Sequence, residues 1–305
     1  MRKSNSVLLV IAGLLLVSNV VLFLTSGSGK SLSFDAELYK IENVAEINLI
    51  RISGKKDTVV LENGPNKWLL NDEYDVDEGL RRLLLSILQN VKVMKPVSLK
   101  PADSIEVFIQ GERELHFNVF GNLTKTKTYF HDLSSGQSYE VAIPGYSDYL
   151  GGIFELSSNQ WRDRVIMDEN WRTIKSFMLQ YKADDIEIED VFLEFDDTFF
   201  NVKGVSRIDS SFVVDYLNQF KLFEVNEIIS AQAFPKYDSL SRTTPLAEIK
   251  ISTINQRDPI TLKAFPSIEN QPFHLIVDDS GELMIMDDQR LAQILVKQVD
   301  FQAKD

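Results

Sequence analysis

From Asp77 onward the apolar residues fall at Leu80, Leu83, Leu84, Ile87, Leu88 and Val91, the spacing of a helix that buries one face. The stripe returns at an offset of 132 residues: Leu80, Leu84, Leu85, Leu88 and Val91 become Phe212, Tyr216, Leu217, Phe220 and Phe223. Asp77, well placed as an N-cap, becomes Asp209. A helix with a single apolar stripe needs another layer to receive it, so the chain must build layered structure at least twice.

That layer is expected to be sheet. Before the first stripe come the short runs "DTVVLE" and "KWLLN", separated by the turn residues "NGPN". After it, "SIEVFIQ" and "RELHFNVF" alternate apolar and polar residues as half-buried strands do, and "KTKTYFH" and "SYEVAI" complete a run of short hairpin-connected strands. The second half answers in order with "EDVFLE", "LAEIKIS" and "DPITLKAF", and the turn "DDSGE" answers "SSGQ". Each half closes on a short helical segment, "YSDYLGGIF" and "DDQRLAQILV". The fold class expected is α+β: two tandem, duplicated units, each a mainly antiparallel sheet packed by one principal amphipathic helix. Their bounds are 43–165 and 166–305. Within "AEINLIRI" the apolar phase shifts between Leu49 and Ile50, which predicts a bulge.

The N-terminus is of another kind. Residues 7–24, "VLLVIAGLLLVSNVVLFL", are almost unbroken apolar chain, about the length that crosses a hydrocarbon core as a helix. Arg2 and Lys3 precede it, and the positive-inside bias keeps residues 1–6 in the cytoplasm. A cleaved signal peptide is the rival reading, but its apolar core is ordinarily only about 7–15 residues. The length favours a retained transmembrane anchor at 7–25, a linker at 26–42 and export of the rest. "TSGSGKS" at 25–31 ends like a nucleotide loop, yet Leu24 stands where that loop needs its first glycine. It reads as flexible linker, and no nucleotide is expected.

Composition narrows the role. The net charge of −13 is dispersed, the opposite of the clustered Lys and Arg that nucleic acid demands. With no cysteine, disulfides, thiolate metal sites and cysteine nucleophiles are excluded together. His116, His131 and His274 fall in no metal-ligand spacing, and His116 and His131 sit at solvent-facing strand positions. "NDEYDVDEG" resembles a calcium loop, but its glycine is one place late and Leu84 holds the bidentate acid position. "DDSGE" has the composition of a hairpin turn, and "ADDIEIED" that of a solvent-facing strand. No catalytic, cofactor or metal residue is singled out, and no enzyme is expected. The candidate site is the segment between the units, "NQWRDRVIMDENW", where Trp161, Arg162, Asp163, Arg164 and Trp171 form an interface or a hinge.

The order W-L-L, then V-D-x-x-x-x-x-L-L-x-x-L, carried by Trp68 to Leu88 and followed by "QWRDRVI" at 160–166, resembles the domain of unknown function 4340 family. The resemblance implies a membrane-anchored, extracytoplasmic bacterial protein. It places the chain in the inner membrane as a single pass, N-terminus cytoplasmic and the remainder periplasmic, beside transport components of the gliding-motility ABC type. It brings no catalytic residues. The expected role is a non-catalytic protein that scaffolds a protein partner at the cell envelope. The alternative is a glycan- or peptide-binding module with a cleft between its units, and a periplasmic hydrolase ranks below both.

Overall fold

A computed structural model describes residues 34–55, 57–182, 188–230, 233–268 and 271–304. The apolar run at 7–24, the loop-like "TSGSGKS" and most of "ADDIEIED" lie outside the described residues. Among the described residues no helix is long and apolar enough to cross a membrane.

The alternating runs become strands and dominate the molecule. In the first half these are β1 (Leu49–Ser53), β2 (Thr58–Asn63), β3 (Trp68–Leu70), β4 (Tyr74–Asp75), β5 (Lys92–Val97), β6 (Ile105–Gln110), β7 (Leu115–Gly121), β8 (Thr128–Asp132) and β9 (Ser138–Ala142). They form one nine-stranded sheet in the order β4-β3-β2-β1-β6-β7-β8-β9-β5. In the second half, β11 (Ile174–Tyr181), β12 (Val191–Asp196), β13 (Phe199–Val202), β15 (Glu227–Ile229), β16 (Ala247–Thr253), β17 (Ile260–Ala264), β18 (Phe273–Asp278) and β19 (Leu283–Asp287) form an eight-stranded sheet. Its order is β13-β12-β11-β16-β17-β18-β19-β15. A separate two-stranded ladder joins β10 (Val165–Met167) to β14 (Phe223–Glu224). All ladders are antiparallel.

This overturns the α+β expectation. The described residues are mostly antiparallel β-sheet, in two large sheets, and the helices among them are minor. The principal helices, α1 (Glu78–Asn90) and α3 (Ser210–Asn218), have 13 and nine residues. The others, α2 (Ser158–Trp161), α4 (Pro235–Leu240) and α5 (Asp288–Ile294), are shorter still. The error has a physical source. A helix stripe is legible within one segment, whereas a strand's weight in a fold depends on how many others pair with it.

Each of the two principal helices nonetheless covers the sheet of its own half. Leu84, Ile87 and Leu88 of α1 enter a core with Ile50, Leu61, Phe117 and Phe130, while Leu80 packs partly buried and Leu83 is left exposed. Val213, Tyr216 and Leu217 of α3 enter a second core with Phe177, Leu193 and Phe200. Asp77 and Asp209 cap the helices, their side chains accepting the Leu80 and Phe212 N–H groups at 2.9 and 3.1 Å. A third, smaller cluster gathers Tyr237, Phe265 and Leu275.

Two local expectations are corrected. β1 pairs with β2 and β6 without a register shift, so there is no bulge. Ile47 lies before the strand, closing a 3-10 turn at 44–46, and the phase change marks where the ladder begins. Residues 34–42, expected as linker, belong to the first core through Tyr39 and Ile41. Arg113 fixes this lead-in by donating to the Leu38 and Lys40 carbonyls at 2.9 and 2.5 Å.

Candidate functional site

Residues 162–167, leaving the end of α2 at Trp161, pass from one sheet to the other as an extended strap. The Trp161 carbonyl accepts from Asp77 N–H at 2.9 Å, Arg162 bridges Val76, and Asp163 N–H donates to the Asp75 carbonyl at 2.8 Å. One residue later the pairing changes sides. The Arg164 carbonyl accepts from Val225 N–H at 3.0 Å, and β10 then pairs with β14. Asp163 marks the switch, its carboxylate accepting the Val165 N–H at 3.1 Å. Such an Asx turn bends the chain locally, which explains an acid between two arginines.

The two arginines clasp the halves together. Arg162 is 9% exposed, and its guanidinium lies 3.7 Å from the Tyr74 ring centroid. Both its terminal nitrogens donate to Glu282, at 2.5 and 2.9 Å. This two-pronged geometry suits arginine's planar fork and adds direction to the charge attraction. Glu282 is itself set by its turn, since its N–H donates to Asp278 Oδ1 at 2.8 Å. The Tyr74 phenol is raised above its ordinary pKa, first by its hydrogen bond to Glu73 and then by burial, against the pull of Arg162. Arg164 donates to Asp77 Oδ2 at 3.4 Å and to the Asn226 carbonyl at 3.2 Å, one contact in each half. Asn159, on α2, adds a 2.9 Å bond to Ser230.

Trp161, Arg162, Asp163 and Arg164 are therefore brought together, and Trp171 is not. Trp161 is fully buried in the first core, with its ring N–H unpartnered, so it offers no surface for a sugar to stack on. Trp171 packs half-buried against the second core, with the Arg172 guanidinium 4.9 Å from its ring. Tyr74, Glu282, Asn159 and Ser230 complete the junction; Tyr74 and Glu282 were legible only as parts of a calcium-like stretch and a hairpin turn, and Asn159 only as the start of the segment between the units. Asp77 was legible only as a helix cap.

The other candidates resolve into structure. In the calcium-like stretch, Asp77 caps α1, Asp75 pairs with Lys67, and Glu78 pairs with Arg81. Among the described residues no three His, Asp or Glu side chains gather to hold a metal. His116 is exposed and pairs with Glu106 at 2.7 Å. His131, expected to face solvent, is partly buried and bonds Ser138 at 2.9 Å. The Ser138 hydroxyl donates to the Leu99 carbonyl at 2.6 Å, so its proton is not offered to the imidazole and the pair is no activated nucleophile. A polar cleft of about 360 Å³ borders the junction between Asn63, Trp68, Arg81 and Asp163. A larger groove, about 940 Å³, lies beside α3 and is lined by Phe212, Tyr216, Val296 and Val299.

No family model matches the chain, and neither a curated protein nor a solved structure does.

Proposed function

We propose that this chain is a non-catalytic, membrane-anchored extracytoplasmic protein that scaffolds a protein partner at the cell envelope. The observation that supports it best is the junction. Arg162, nearly buried, is stacked on Tyr74 of the first half and paired with Glu282 of the second. A clasp of this kind fixes two sheets in one relation and presents a composite surface, which is what a scaffold needs. The apolar run at 7–24 supplies the anchor, in a single pass of the bacterial inner membrane. The family resemblance adds the setting, an auxiliary component of an ABC-type transport or gliding-motility system. The test is crosslinking of the full chain in native membranes, followed by identification of what co-purifies. A recurrent membrane or periplasmic partner, reduced in Arg162→Ala, is expected. Recovery of free monomer alone overturns the proposal.

A second reading, a peptide-binding module, draws on the groove beside α3. Its apolar residues Phe212, Tyr216, Val296 and Val299 line a volume that suits a few side chains. Thermal-shift screening with cell-envelope peptides and glycans separates the two, because a ligand at a hundred times its Kd stabilises the fold by about 2.7 kcal/mol.

A further inference from the structure

The inference rests on the anchored reading above and concerns the edge of the first sheet formed by β5. In the two sheet orders β5 and β15 hold the same terminal place, beside β9 and β19 respectively. The β15 side is covered, since α2 packs against it through Asn159 and Ser230, and Arg162 reaches Glu282 in the adjoining turn. The β5 side meets the lead-in at one backbone bond, from Val93, and leaves Met94 51% and Leu99 47% exposed.

Another strand is a poor occupant for this edge. The β5–β9 ladder is interrupted by a register shift between Val93 and Lys95, and Pro96 has no N–H to offer. Bulges, prolines and lysines are the devices by which sheet edges refuse strand addition. What remains is a set of apolar side chains flanked by Lys92, Lys95 and Lys100. Lys92 and Lys95 also reach Glu37 and Glu140, at 3.9 and 3.4 Å, so the apolar contact must supply most of the affinity.

The chain's own path identifies the occupant. The lead-in joins the first sheet beside this edge, where Val93 N–H donates to the Ala36 carbonyl at 2.8 Å. Between Leu24, where the apolar run ends, and Phe34, where the lead-in begins, stand nine residues. Fully extended they span at most about 32 Å. An anchor crossing the bilayer at 7–24 thus holds the lead-in, and the β5 edge it joins, within about that reach of the lipid surface. We propose that the β5 edge rests on the bilayer: Met94 and Leu99 enter the headgroup layer, and the lysines lie against lipid phosphates.

The absence of cysteine makes the test direct. Full-length single-cysteine variants Met94→Cys, Leu99→Cys and Val299→Cys are labelled with a fluorophore and reconstituted in phosphatidylethanolamine–phosphatidylglycerol vesicles containing doxyl-labelled lipid. Val299, 65% exposed on the C-terminal turn, is the control. All three positions are exposed, and melting curves confirm that each variant folds. Expected is quenching at positions 94 and 99 about twofold or more above that at 299. If the chain floats with the vesicles and the three labels quench alike, the bilayer contact is overturned while the anchor stands. Labels at 94 and 99 that are shielded from water without lipid quenching show a protein on this edge and overturn it equally. A chain that does not float overturns the anchored reading, and this inference with it.

Discussion

Arg162 and Glu282 stand 120 positions apart and meet in a two-pronged ion pair, 2.5 and 2.9 Å, across the junction of the two sheets. The arginine side chain is 10% exposed and the glutamate 27%, so the pair is shielded from solvent more than an ordinary surface bridge. Arg162→Ala leaves Glu282 without its partner and is expected to cost about 2–4 kcal/mol, near the lower range for a broken buried pair. Arg162→Lys restores little, because an ammonium cannot make both bonds or stack on Tyr74 in the same way. Urea denaturation followed by tryptophan emission checks both. Stability unchanged in Arg162→Ala would remove the clasp from this account.

The two aspartate caps are not equivalent. Asp209→Ala loses one cap bond, at Phe212 N–H, and is expected to cost about 1 kcal/mol. Asp77→Ala loses the cap at Leu80 and the contact with Arg164 as well. It should cost more, about 1.5–2 kcal/mol. Thermal melts of the two variants side by side give the comparison, and the reverse ranking contradicts the junction geometry.

Tyr216 is fully buried, and burial raises its phenol well above the ordinary pKa. Its hydroxyl donates to the Ile294 carbonyl at 2.8 Å, tying α3 to the end of α5. Tyr216→Phe keeps the ring and strands that carbonyl, for a loss of about 1–3 kcal/mol. Tyr216→Asp, like Leu84→Asp in the first core, buries an unpaired charge and should prevent its half from folding. Near-UV circular dichroism distinguishes the outcomes: a reduced midpoint for the first, lost aromatic signal for the second.

Glu78 gives a small acid-side dependence. Its hydrogen bonds from Arg81 hold the carboxyl below the ordinary value of 4.5. The stability it contributes is present above that value and lost as pH falls through the depressed one. The side chain is 60% exposed, so the pair is worth only about 0.2–0.5 kcal/mol. Arg81→Ala should remove about that much of the stability lost as pH falls below 4.5, so the melting temperature declines less steeply with acid. A profile that steepens instead rejects the assignment.

Several elements could be read from residues alone because their physics is local. The stripe from Leu80 to Leu88 reports a helix face, and Asp77 and Asp209 report its start, since both depend on neighbours within one or two turns. The alternation of Ile105, Val107 and Ile109 reports a strand in the same way. The limits of such reading are equally physical. Periodicity names the face that is buried and leaves open what buries it. The helix therefore looked like a principal layer, whereas sheets of nine and eight strands carry the fold.

The strap shows the same division. The sequence by itself set Trp161, Arg162, Asp163 and Arg164 apart as a junction, because aromatic and charged residues crowd there between two patterned halves. Only the tertiary structure decided that Trp161 belongs to the first core, that Arg162 stacks on Tyr74 and reaches Glu282, and that Trp171 lies elsewhere. A charged side chain does not encode its distant partner. That choice comes from the sheet pairings that carry Glu282, 120 residues away, to the same strap. Those pairings rest on long-range packing, which no local spacing records.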